Sequence, residues 1–232
     1  MYEIEYRGIL STTKGVAVTR RPNIPAPRRR GEFVDVAGRD GSLFVTDDTY
    51  EDIDIPVPLN FVRAPKYWME TYRDVKNWIT GSGKLKMGDD PGWFYNCKNA
   101  YITNPKRVVR VGGTIDAHFI CDPYQYKEGG QFLLNPTEAL LNPYAPTRPI
   151  YYIEGNGTCE IEVNGFAAEV EVDGNIIIDT NRMVAYTKTG DIVNRAFLAG
   201  AAFEAFWFKS GQNAAQVSNG FTLRIAPNWR SL

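Results

Sequence analysis

The sequence predicts a mainly β chain of two domains, the first carrying one amphipathic helix and an extended hairpin, the second a β-sandwich. Three observations predict it. From Tyr151 on, short apolar runs recur at roughly ten-residue spacing, divided by turn residues, as strands of a sandwich do. One stretch, opening at Pro65, changes to a helical period. An aperiodic passage, residues 123–148, holds Pro123, Pro136, Pro143 and Pro146 and separates two sets of strands. The boundary is expected near 130–146, which gives an N-terminal domain of residues 1–135 and a C-terminal domain of residues 136–232.

Length and composition bound the answer. The chain has 232 residues, enough for one large domain or two small ones. A hydrophobic content of 44% is ordinary for a globular protein and argues against disorder. A net charge of -1 gives no bulk basicity for holding nucleic acid. No apolar run approaches the roughly 18 residues of a membrane span. The opening Tyr2-Glu3-Ile4-Glu5-Tyr6 alternates like a strand rather than a signal peptide, an expectation of cytoplasmic synthesis and folding. Cys97, Cys121 and Cys159 are odd in number and lack C-x-x-C spacing, so free buried thiols are expected.

In chain order, residues 2–7 and 15–20 read as short strands, followed by an extended passage set by Pro22, Pro25 and Pro27. Arg28-Arg29-Arg30 then leads into two extended arms around Asp40-Gly41, a dipeptide suited to a tight hairpin turn. The hairpin reads either as an ordinary surface feature or as an assembly arm. From Asp52 to Phe61 the alternation is strict. Ile53, Ile55, Val57, Leu59 and Phe61 share one face, so one face is buried. Pro56 and Pro58 have equal parity and remove donors from one side, which predicts an edge strand. Trp68, Tyr72, Val75 and Ile79 fall at helical spacing, with Gly81 and Gly83 expected to end the helix and its stripe to pack on a sheet.

Residues 93–95, 99–102 and 108–111 read as strands. Ile115, Ala117, Phe119 and Cys121 form an alternating one. In the C-terminal part Cys159, Ile161 and Val163 lead to an Asn164-Gly165 turn, and Val170 and Val172 to a second turn at Asp173-Gly174. Ile176-Ile177-Ile178 reads as a buried strand; residues 183–187, Phe206-Trp207-Phe208, and Phe221, Leu223 and Ile225 supply the rest.

The motifs of chemistry are sparse. His118 is the single histidine. It shares a strand face with Asp116, but no Ser or Cys stands in a nucleophile motif, so it reads as a structural histidine rather than a catalytic base. The carboxylates are scattered along strand faces, and no phosphate-binding, EF-hand or dinucleotide loop is present. The chain therefore reads as a non-enzyme with neither cofactor nor metal.

An ordered set of motifs resembles a known family. Arg28-Arg29-Arg30, Val36-Ala37-Gly38-Arg39-Asp40-Gly41-Ser42-Leu43, Tyr50-Glu51-Asp52-Ile53-Asp54-Ile55-Pro56-Val57, Val75-Lys76-Asn77-Trp78-Ile79 and Phe119-Ile120-Cys121-Asp122-Pro123-Tyr124-Gln125-Tyr126 run through the N-terminal half. Pro149-Ile150-Tyr151-Tyr152-Ile153-Glu154-Gly155-Asn156-Gly157 and Gly174-Asn175-Ile176-Ile177-Ile178-Asp179 follow in the C-terminal half. Together they resemble the distal tail protein (Dit) of siphophages, mainly those of Gram-positive hosts. The resemblance implies a virion tail-tip component, assembled in the host cytoplasm into a homohexameric ring. It implies two β-sandwich domains, an N-terminal one that builds the ring with its helix and extended hairpin and a galectin-like C-terminal one. It also implies contacts with the tail tube protein, the tape measure protein and the tail-associated tip protein, receptor-binding proteins at the periphery, and DNA passing through without specific binding.

Under this reading Arg28, Arg29, Arg30, Phe33, Arg39, Asp40, Gly41, Leu43 and Phe44 are the expected subunit-interface residues. The alternative is a carbohydrate-binding module using the C-terminal sandwich, with Trp207 and Trp229 as glycan contacts. A chain that is 13% aromatic has rings to spare for either surface.

Overall fold

A computed structural model describes residues 2–107, 110–136, 140–193 and 202–232. The chain divides into two compact units, one running to Gln125 and one from Tyr126 to Ser231. It is mainly β, with one α-helix among the described residues.

The first unit is built on seven strands of one sheet. Its path follows β2 (Ile9–Leu10), β1 (Ile4–Tyr6), β7 (Gly81–Met87), β8 (Trp93–Arg107), β9 (Gly112–Lys127), β6 (Ile53–Val62) and β3 (Ala17–Val18). The two ends of that path, β2 and β3, are consecutive in the chain, so the sheet curls and encloses one core. The core takes Tyr6 from β1, Ile55 and Val57 from β6, Leu85 from β7 and Phe119 from β9, all fully buried. The strict alternation of β6 survives in its burial: Ile53, Ile55, Val57, Leu59 and Phe61 are in, while Asp54, Pro56 and Val62 are exposed.

Helix α1 (Trp68–Ile79) follows a short 3-10 turn at Pro65–Tyr67. It buries Trp68, Val75, Trp78 and Ile79, and the Trp78 indole N–H donates to the Tyr6 carbonyl at 3.1 Å, pinning the helix to β1. The glycines do not cap it. Thr80 does, in extended conformation, with its N–H and its hydroxyl both bonded to the Lys76 carbonyl, and Gly81 opens β7.

Pro56 and Pro58 sit one strand from the edge rather than on it, because β3 lies outside β6. Yet β3 pairs only with Leu59 and Asn60. The Pro58 carbonyl accepts from Thr19 N at 3.0 Å on that outer side. In an antiparallel strand the N–H and C=O of a residue face the same way, so both missing donors face outward and β9 keeps its full ladder from Ile53 to Val62. The strands expected at 93–95 and 99–102 are one strand, β8. Of the strand expected at 108–111, Val108 and Val109 lie outside the described residues.

The second unit centres on a hairpin of two 14-residue strands, β11 (Ile150–Val163) and β12 (Phe166–Asp179), turned at Asn164-Gly165 as predicted. The sheet order is β13 (Val184–Tyr186), β12, β11 and β15 (Ala215–Val217), with β16 (Thr222–Ala226) also on β11. A small sheet pairs β10 (Leu140–Asn142) with β14 (Gly211–Asn213). Tyr151, Ile161, Val170, Ile178, Phe206 and Phe208 fill the core. The turn expected at Asp173-Gly174 is absent. Gly174 lies opposite Gly155 within the ladder, and its N–H donates to the Asn156 side chain at 2.9 Å. At Gly155 (φ +152°) the Phe221 ring lies so close that a Cβ would stand 2.3 Å from it. The expected strand at Phe206-Trp207-Phe208 is a 3-10 turn, Phe203–Phe206, followed by a bridge from Phe208 to Thr147.

Candidate assembly interface

Arg29–Asp35 (β4) and Ser42–Tyr50 (β5) pair only with each other, as a two-stranded sheet separate from the large one. The register sets Phe33 opposite Phe44, Val34 opposite Leu43 and Glu32 opposite Val45. The connection is longer than the tight Asp40-Gly41 turn that the sequence suggests. Residues 36–41 form it, with a turn closed by Arg39 N to Val36 O at 3.1 Å and positive φ at both Gly38 and Gly41.

The base of the hairpin is ordered by local chemistry. Thr46 donates its hydroxyl to the Arg30 carbonyl at 2.7 Å and accepts from Asp48 N at 3.0 Å. Asp47 accepts from both the hydroxyl and the N–H of Thr49. The Thr49 hydroxyl bond above all holds the Asp47 carboxyl below its ordinary range. Arg29 pairs with Asp48 at 3.1 Å. Gly31 is where the strands pinch: a Cβ there would stand 2.4 Å from the Val45 carbonyl and 2.6 Å from the Phe44 ring.

The ribbon is apolar on both faces and in water on both. One face carries the Phe33–Phe44 pair, ring centroids 4.9 Å apart, and Phe33 is 73% exposed. The other carries Val34, Leu43 and Val45, all exposed. A two-stranded hairpin is marginal in water without a partner for its apolar face, and contiguous exposed apolar surface marks an interaction site.

Every sequence-predicted interface residue lies on this element or directly before it. Arg28, Arg29, Arg30, Phe33, Arg39, Asp40, Gly41, Leu43 and Phe44 are all exposed. Val34, Val36 and Val45 were not singled out by the sequence reading, although they are as exposed as Leu43. Their signal was the alternation itself, which places Val34 and Val45 on the face opposite the phenylalanines.

The fold built around this hairpin has a counterpart among solved structures. The chain matches the crystal structure of SPP1 Dit (gp 19.1), described as a paradigm of the hub adsorption apparatus in Gram-positive infecting phages, with a TM-score of 0.73 over 100% of this chain and 98% of that one. The fold is that of SPP1 Dit. The identity between the two chains is 12%. The resemblance carried by the ordered motifs is borne out as a two-unit, mainly β architecture with one helix. No protein-family model matches the sequence, and no curated protein does.

The other candidate residues stand apart from the hairpin. Trp207 and Trp229 are half-buried. The Arg148 guanidinium covers the Trp207 ring at 4.6 Å, and Trp229 packs 6.0 Å from Phe208 in the second core. His118 takes a different partner from the expected one. Its Nδ1 lies 2.9 Å from Asp54 on the neighbouring strand, and its ring stacks on Tyr101 at 5.2 Å. The three cysteines are free and buried. Among the described residues no helix is long and apolar enough to cross a membrane, and no cluster of His, Cys, Asp and Glu suits a metal ion.

Proposed function

We propose that this protein is a structural component of a phage tail tip. It forms a hub at the distal end of the tail tube and joins the tube to the adsorption apparatus. Copies associate head to tail through the β4–β5 hairpin and close into a ring of six. The observation that carries the reading is the hairpin itself: a ribbon apolar on both faces, exposed along its length, on a fold shared with a phage hub protein. Heterologous contacts between identical chains make rings when the rotation closes, and an exposed two-faced arm gives each copy such a contact. The tail tube protein, the tape measure protein, the tip protein and receptor-binding proteins are the partners of this role, DNA passes the ring without base-specific contact, and the role calls for no catalytic group.

The second, carbohydrate-binding reading needs an open aromatic face. Trp207 under Arg148 and Trp229 in the core offer little of one, so the hub reading is preferred. Negative-stain imaging of the purified protein tests it. Rings are expected for the wild-type chain, and single particles for Val34→Ser with Leu43→Ser, which removes one apolar face of the ribbon. Dispersed single chains in both samples, even at high concentration, overturn the hub reading.

A further inference from the structure

The hairpin needs a surface to land on, and one end of the first unit has the matching chemistry. Arg63, Lys66, Lys106, Arg107 and Arg110 are exposed there, and among the described residues none of them makes an ion pair. They are held together by the fold. Arg63 N donates to the Val111 carbonyl at 2.9 Å, which ties the end of β6 to the start of β9. Arg107 donates to the Arg110 carbonyl at 2.7 Å and lies over the Trp68 ring at 5.4 Å, which ties the end of β8 to the start of α1. Val62, Tyr67, Met69 and Val111 stand exposed among the cations, with Val62 at 67%. Exposed cations held close together repel one another, and apolar side chains in water beside them add a second cost.

The hairpin is the complement. Over Arg29–Tyr50 it carries five acids, Glu32, Asp35, Asp40, Asp47 and Asp48, against three cations; Arg29 and Arg30 stand at its base, which leaves Glu32, Asp35 and Asp40 against Arg39 in the outer half. Glu32, Asp35 and Asp40 make no ion pair with any described residue. Its acids, too, are set among exposed apolar side chains.

We infer that the basic, apolar end formed by residues 62–69, 106–107 and 110–111 is the docking surface for the β4–β5 hairpin of a second copy of this chain. The inference rests on the hub reading and assigns the second half of its contact. Val62, Met69 and Val111 receive the ribbon's apolar side chains, and the cations meet Glu32, Asp35 and Asp40 in its outer half. Charge complementarity of this kind fixes register and speeds encounter. A nucleic-acid phosphate backbone would use the cations but leave the apolar residues in water, so a protein partner fits better.

The test uses two full-length variants. One reverses the acceptor surface with Lys66→Glu, Lys106→Glu and Arg110→Glu; the other reverses the hairpin with Glu32→Lys, Asp35→Lys and Asp40→Lys. All six side chains are exposed, and circular dichroism checks that both variants fold. Each variant alone meets like charge at every contact, and its association is expected to weaken by about tenfold or more. An equimolar mixture pairs opposite charges at every contact, provided the two variants alternate, and sedimentation velocity is expected to show the wild-type assembly restored. Restoration is an outcome that misfolding of either variant cannot produce. Wild-type-like assembly by each variant alone, or a mixture that stays dissociated, overturns the docking surface and leaves the hub reading standing. Retention of fluorescent duplex DNA by the wild type, lost in the acceptor variant without any change in assembly, identifies a nucleic-acid surface and overturns it too. A wild-type chain that stays monomeric overturns both.

Discussion

Phe33 tests whether an exposed ring serves a partner or the chain's own fold. It is 73% exposed, so of the roughly 200 Å² that an aromatic side chain offers, about 150 Å² remains in water. Burying that area is worth roughly 3–4 kcal/mol at about 25 cal/mol per Å². Part of this is offset by the cost of association, so Phe33→Ser is expected to weaken each contact by about 2 kcal/mol, roughly thirtyfold. The isolated chain loses only the ring contact with Phe44, and its stability should fall by no more than about 1 kcal/mol. Sedimentation velocity over a concentration series reads the first effect. Thermal unfolding at concentrations too low for assembly reads the second. The reasoning is refuted if assembly is unchanged, or if the monomer is destabilised by well over 1 kcal/mol, since the ring would then belong to the chain's own core.

Two further expectations follow from the same geometry. Gly155→Ala drives a Cβ into the Phe221 ring at a backbone conformation that suits glycine, and should cost about 1–3 kcal/mol in chemical denaturation without touching the hairpin. Asp47 is held below its ordinary carboxyl range chiefly by the Thr49 hydroxyl, so its folded-state pKa is the lower one. Its contribution to hairpin order is therefore present above the ordinary carboxylate pKa and is lost as pH falls through the depressed value. The protection of the Thr49 amide against exchange, measured by NMR relative to its intrinsic rate at each pH, should fall with acidification, and Asp47→Asn should remove the dependence.

The sequence was legible where one face of an element is buried and the other is wet. The alternation of β6 carried over residue by residue, and the stripe of α1 at Trp68, Val75 and Ile79, with Tyr72 half-buried and Trp78 buried beside it, because burial imposes the period directly on the chain. The Asn164-Gly165 turn was legible for a similar reason, since its backbone needs those residue types. What was hidden depends on neighbours distant in sequence. The glycine-rich Gly81-Ser82-Gly83 reads as a stop, yet it begins β7, where the Arg7 stem leaves no room for a Cβ at Gly83. Asp173-Gly174 reads as a turn but stays within the ladder, with the Gly174 N–H bonded to Asn156 on the opposite strand. The partner of His118 could not be chosen from parity within its own strand, because Asp54 reaches it through the β6–β9 register. The candidate interface was legible as a hairpin with an arginine lead. Its exposure on both faces was not, because alternation says which residues share a face and nothing about what covers that face.

The two prolines of β6 set how copies of this protein can be joined. With no hydrogen to offer at positions 56 and 58, that flank refuses the backbone of an incoming strand, and the two-residue β3 beside it is too short to serve as a template. Copies crowded together at high local concentration are thereby kept from fusing into an endless fibre along this border. Any contact across this border has to be knitted from side chains rather than from a shared ladder.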